Sequence, residues 1–119
     1  KFPGRINTPH NAAVQLYRTR RKELERAGKE VGEKLAGSRG PVTVVIPMRG
    51  FSVHDCKGGL LYDPDADEGF IEEISAFDAK IKIRKIDAHI NEERFVDAVM
   101  DAFLENVALT APLSAAAVA

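Results

Sequence analysis

Apolar residues recur along this chain in two rhythms. From Thr19 to Ala36, Leu24, Ala27, Val31 and Leu35 return every three or four positions, with Arg, Lys and Glu between them. That is the period of a helix with one buried face. Thr19 is placed to cap its start and Gly37 to stop it. After Gly40-Pro41 comes Val42–Ile46, a run so nearly continuous in apolar character that it predicts a strand buried on both faces, as inside a parallel sheet. Pro47 ends the strand and opens a loop to Tyr62. Asp63-Pro64 then predicts a second helix, with Asp63 as N-cap, Pro64 in the first turn and Asp65, Asp67 and Glu68 where the helix dipole favours anions. Ala66, Phe70, Ile71, Ile74 and Phe77 form its stripe, ending near Asp78. Ile81–Ile86 alternates isoleucine with Lys or Arg, which predicts a strand with one wetter face, nearer a sheet edge. Asn91 is a suitable N-cap for a third helix whose stripe is Phe95, Val96, Val99, Met100, Phe103 and Leu104. Before the first helix, Pro3, Gly4, Asn7, Pro9 and Asn11 suit turns more than regular structure.

The order helix, strand, helix, strand, helix predicts an α/β fold: a parallel βαβ-type three-layer (Rossmann-like) unit with a right-handed crossover. Two strands make a poor sheet alone, because the faces and edges of Val42–Ile46 need cover. The expected partner is therefore the remainder of a parent protein or a second subunit, with a homo-oligomer as the expected assembly. The opening Lys1-Phe2-Pro3-Gly4, without Met, suggests a processed product or a fragment. Residues 1–107 are taken as a partial domain and 108–119 as an Ala-rich tail without chemical signal.

Charge narrows the partners. In 119 residues, 17 Lys and Arg face 18 Asp and Glu, a net charge of −1, so the basic surplus of a nucleic-acid binder is absent. No apolar run is long enough to predict a membrane span. The single cysteine, Cys56, has no internal disulfide partner, so the expected compartment is the reducing cytoplasm.

Candidate chemistry gathers in the loop after the first strand, where α/β proteins usually hold ligands. Gly50, Gly58 and Gly59 permit close backbone approach to a ligand, Arg49 can pair with a phosphate or carboxylate, and Ser52 lies between them. Asp55 has no evident local task and is the carboxylate of choice for function, whereas Asp63 is explained by capping. His89 and Asn91 follow the second strand and should lie at the same sheet edge; capping by Asn91 and a backbone-bonded ring at His89 are the plainer alternatives. Within the basic cluster Arg18, Arg20, Arg21 and Lys22, Arg18 is best placed to grip an anion, and His10 is a further candidate. Neither a Walker lysine pattern nor G-x-G-x-x-G is present. His54, Asp55, Cys56 and His89 are ligand types, but their spacing does not suit a metal, and none is predicted. These residues support three readings: an anion-binding cleft edge; an enzyme acting on a small phosphorylated or carboxylated metabolite, with Asp55 or His89 as acid or base; and an assembly module joining lobes or subunits.

Three stretches carry a family resemblance: HNAAVQLYRT at His10–Thr19, GPVTVVIPMRGFSVHDCKGGLLYDPDAD at Gly40–Asp67 and IRKIDAHINEERFVDAVMDAF at Ile83–Phe103. Together they resemble the C-terminal part of the second lobe of the tomato mosaic virus resistance protein (Tm-one-like ATP-binding) family. The chain departs from that pattern in Arg49-Gly50, where the family tends to have Gly-Gly, and in Asn91-Glu92-Glu93, where Asn-Asp-Pro is common. The resemblance implies a two-lobed α/β protein with a nucleotide cleft, ATP as the expected ligand with its contacts mainly in the first lobe, outside this chain. It implies no particular reaction.

Overall fold

The computed structural model describes residues 2–118, with side chains described through Thr110. The turn-rich start is a small hairpin: β1 (Asn7–Pro9) pairs antiparallel with β2 (Gln15–Tyr17), Thr8 opposite Leu16. Asn11 makes its turn, its side-chain oxygen accepting the Ala13 and Val14 N–H groups at 2.9 Å each. The turn-forming residues are thus where the sequence puts them, but two three-residue strands flank them.

Helix α1 (Arg21–Ala36) starts one residue later than a Thr19 cap allows, with Arg20 in the N-cap position. The N-terminus is organised instead by Glu23, whose carboxylate accepts the Arg20 N–H at 2.8 Å and holds Arg5 through two bonds of 2.7 and 3.0 Å. The buried residues of α1 are Gly28 and Gly32, while Val31 is exposed. A Cβ at Gly28 would lie 2.7 Å from the Phe70 carbonyl oxygen, and one at Gly32 2.2 Å from the Phe77 ring. The two glycines let α1 settle directly onto α2 (Pro64–Ser75).

Helix α2 is the crossover between β3 (Thr43–Pro47) and β4 (Lys82–Ile86), which pair in parallel with Val44 opposite Ile83 and Ile46 opposite Lys85. Asp63 caps α2 as expected, accepting the Ala66 N–H at 3.1 Å. The core is Ile46, Ile71, Ile74 and Ile81, ringed by Leu35, Val42, Val44, Phe70, Phe77 and Ile83. Strand side chains alternate between faces, so Val42, Val44 and Ile46 point towards α1 and α2. Thr43 lies on the opposite face, where its hydroxyl meets Asn106 of α3 (Glu93–Val118) at 3.4 Å. Helices therefore cover both faces of one parallel pair, the α/β unit anticipated from the element order.

Two expectations about burial fail for one reason. Within Val42–Ile46 only Ile46 is buried, because β3 has a single strand partner among the described residues. In α3, Phe95 is buried, but Val96, Val99, Met100, Phe103 and Leu104 are exposed, and Ala102 takes the second inward position. There is less sheet here than the apolar pattern is written for. Helix α3 also continues into the Ala-rich segment, whose side chains from residue 111 lie outside the described residues. Among the described residues no helix is long and apolar enough to cross a membrane.

Candidate functional site

Arg18 leaves β2 just before α1 begins, and its long side chain reaches under the loop that follows β3. Its side chain is only 10% exposed. One terminal nitrogen sits 2.9 Å from Asp55 and donates to the Leu61 carbonyl at 2.9 Å; the other meets Asp67 at 2.5 Å and donates to the Asp63 carbonyl at 3.4 Å. One guanidinium thus ties the hairpin to the loop and to the first turn of α2. Burial alone would lower the Arg18 pKa, but the hydrogen bonds and charges of Asp67 and Asp55 outweigh it and raise it. The two carboxylates compete for that single cation. Burial, together with the neighbouring Asp55, raises the pKa of Asp67 to about 7 against the opposing pull of Arg18. Burying one cation with two anions leaves an uncompensated charge, and a proton on Asp67 removes it.

Asp55 therefore has a structural task that its sequence context does not reveal. Besides its ion pair, it accepts the Asp63 N–H at 3.3 Å, bracing the residue that caps α2. Arg18, the candidate anion grip, already has both carboxylates as partners.

Ser52 organises the loop locally. Its hydroxyl accepts the N–H groups of His54 and Asp55 at 3.2 and 3.0 Å, and its carbonyl is 2.9 Å from His89 Nε2. His89 Nδ1 accepts the Asn91 N–H at 3.2 Å, so the ring carries its proton on Nε2 and donates it to Ser52. The loops after β3 and β4 do converge, through this ring and through the Ile90 N–H donating to the Gly50 carbonyl at 3.1 Å. Asn91, however, is not the cap of α3. Glu92 immediately precedes the helix, and its carbonyl accepts the N–H groups of Phe95 and Val96 at 2.9 and 3.2 Å.

The glycines serve the loop itself. Gly50 has φ +141°, and a Cβ there would lie 2.2 Å from the Asp55 carbonyl oxygen, where Gly50 and Cys56 form an isolated bridge. A Cβ at Gly59 would lie 2.2 Å from the His54 carbonyl oxygen. The close backbone approach expected towards a ligand is here an approach of the loop to itself. Gly58 has open space around it and needs glycine only for its positive φ of 91°. Arg49 is exposed and forms a two-point pair with Asp87, at 2.6 and 2.9 Å. That partner raises the Arg49 pKa, and Arg49 lowers the pKa of Asp87.

Between the hairpin and the loop after β3 lies a cleft of about 480 Å³, with Arg18, Asp55 and Asp67 at its wall. His10, Ser52 and His54 also line it, beside apolar surface that includes Tyr17 and Phe51. Arg49, Gly50, Gly58, Gly59, His89 and Asn91 do not. Sequence reasoning passed over Asp67, because an acid in the first turn of a helix is already explained by the dipole. Its only signal is the density of acids around Asp63-Pro64, facing an arginine more than forty residues earlier. Among the described residues no group of three or more His, Cys, Asp or Glu is arranged to hold a metal.

Residues 1–107 match the model of the C-terminal domain of the uncharacterised protein family UPF0261. The chain belongs to this family. A UPF0261 protein of Rhizobium meliloti is 33% identical over 106 residues, covering 87% of this chain and 27% of the relative. One from Mesorhizobium japonicum is 35% identical over 108 residues, again 27% of its length. The ToMV resistance protein Tm-1(GCR237) of Solanum lycopersicum is 31% identical over 108 residues, which are 14% of that protein. The resemblance carried by the three sequence stretches is thus borne out. This UPF0261 chain spans about a quarter of its bacterial relatives.

Proposed function

We propose that this UPF0261 segment forms one wall of a ligand cleft in a larger protein and that the wall faces the uncharged part of the ligand. For a nucleotide, that part is the nucleoside, and the phosphates are held elsewhere. The observation carrying this reading is the pairing of Arg18 with both Asp55 and Asp67 beside the cleft. A wall whose arginine is already matched by two carboxylates offers little to a phosphate, but carboxylate oxygens accept bonds from hydroxyl groups, as on a ribose. Tyr17 and Phe51 add flat apolar surface suited to a base. The position, at the carboxyl end of a parallel strand, is where open α/β sheets keep their ligands.

Acid–base catalysis by His89 or Asp55 fits less well. Both nitrogens of His89 have backbone partners, and Asp55 is engaged by Arg18 and the Asp63 N–H.

The test is calorimetric titration of a full-length UPF0261 protein carrying this segment with ATP, adenosine and tripolyphosphate, before and after Tyr17→Ala. Tyr17 is partly exposed, so its removal spares the core. The expected result is an about ten-fold loss of affinity for ATP and adenosine alike, the scale of one aromatic contact, with tripolyphosphate unaffected. Adenosine binding undiminished by Tyr17→Ala, or absent while ATP binds, would overturn the reading.

A further inference from the structure

Among the described residues, strand β3 has a second edge with no strand paired to it, and the residues around that edge form a slot. At the two ends of the β3–β4 ladder, the Lys82 N–H donates to the Val42 carbonyl at 3.2 Å and the Met48 N–H to the Ile86 carbonyl at 2.9 Å. Along a parallel strand, alternate residues turn their backbone groups to opposite neighbours. The even-numbered residues of β3 therefore address β4. Thr43 and Val45 present N–H and C=O groups to the other side, and Pro47, which has no N–H, presents a carbonyl alone.

A second cavity, of about 370 Å³, is walled by all four consecutive residues Val44, Val45, Ile46 and Pro47. Consecutive strand side chains point to opposite faces, so a cavity touching four in a row runs along an edge. With β4 on one edge, it must run along the other. Leu24 and Ala27 of α1 and Phe70 of α2 flank the slot, with Ile90 also lining it, and the surface is almost wholly apolar. An isolated sheet edge of this kind is a template for pairing, and natural proteins normally cover or charge it.

We infer that this slot receives an apolar strand from the remaining part of a UPF0261 polypeptide, running parallel to β3 and bonding to Thr43 and Val45. Three observations select that occupant. The chain covers only 27% of each bacterial relative and matches the family's C-terminal domain, so most of a relative's chain is available to supply the strand. The slot has no charged residue in its lining, so it suits a segment apolar on both faces, the kind found inside a parallel sheet. The near-continuous apolar run of β3 is itself written for burial between two strands, although four of the five residues Val42–Ile46 remain only half-buried here. A second copy of this chain fits less well, because its β3 brings the same flanking walls from its own α1 and α2. The exposed apolar residues of α3, among them Met100 and Phe103, point to further mass over this unit.

The experiment is fragmentation-resolved hydrogen exchange on a full-length UPF0261 protein carrying this segment, at two protein concentrations a hundred-fold apart. The amides of Val44 and Ile46, directed at β4, are the internal reference. The expected result is that Thr43 and Val45 exchange as slowly as that reference, roughly 100-fold or more below unprotected amides, at both concentrations. Fast exchange at Val45 beside protected Val44 and Ile46 would show an open edge and overturn the inference. Protection present only at the higher concentration would assign the slot to a second copy and overturn it equally.

Discussion

Replacing Arg18 by Met should expose how this unit balances its buried charge. Methionine keeps much of the aliphatic length but removes the guanidinium that meets Asp55 at 2.9 Å and Asp67 at 2.5 Å and that donates to the carbonyls of Leu61 and Asp63. The three side chains are 10%, 7% and 8% exposed, so water screens the interaction weakly. Removing one partner of a buried ion pair typically costs about 3–5 kcal/mol, most of it the penalty of the charge left behind. Here two acids are left behind, and protonation of Asp67 relieves only one of them. The loss should therefore reach that range at pH 7.5 and shrink at pH 5, where protonation is easier. The sign follows from the acids. Asp67 already binds its proton more tightly folded than unfolded, and losing the cation that lowers its pKa shifts it further the same way. The folded variant then holds more protons than the folded parent as pH approaches and passes about 7, so its loss relative to the parent must grow as pH rises. The assay is urea denaturation followed by circular dichroism at the two pH values. A loss below about 1 kcal/mol at pH 7.5, or an equal loss at pH 5, would refute the buried-triad account.

Three further outcomes follow from the same geometry. In the unaltered chain, the stability contribution of Asp67 is present below its ordinary pKa of 3.8 and is lost as pH rises towards about 7; Asp67→Asn should flatten the stability profile in that window by a few kcal/mol at most, as read by thermal melts across pH. Gly32→Ala should cost about 1–3 kcal/mol, because its methyl group would lie 2.2 Å from the Phe77 ring; urea titration checks this, and an unchanged midpoint would mean that α1 and α2 do not approach so closely. His89 should show the Nε2–H tautomer in long-range nitrogen–proton NMR spectra, with a proton on Nδ1 contradicting its bond from the Asn91 N–H.

Local pattern determined a good deal of this chain by itself. The 3.6-residue period located α1 and α2, Asp63-Pro64 marked a helix start that the Ala66 bond confirms, and the order of elements led to a parallel pair with helices on both faces. Those features depend on neighbours within a few residues, so composition and spacing suffice. The family, too, was legible, in stretches where strand, loop and cap residues stand together.

What the tertiary structure decided depends on groups that meet across long separations. Arg18 looked free to bind an anion and Asp55 looked idle, because their partners lie 37 and 49 residues beyond Arg18 and leave no period in the sequence. Gly50 and Gly59 carry the mark of close approach, but only the fold shows that what approaches is the loop's own backbone. Helix α3 illustrates the converse. Its apolar stripe predicts burial, yet burial needs an opposing surface, and among the described residues of α3 two strands supply enough of it for Phe95 and Ala102 alone. An apolar pattern states which residues seek cover; only the assembled chain decides what covers them, because the burial that stabilises a hydrophobic face belongs to both surfaces at once.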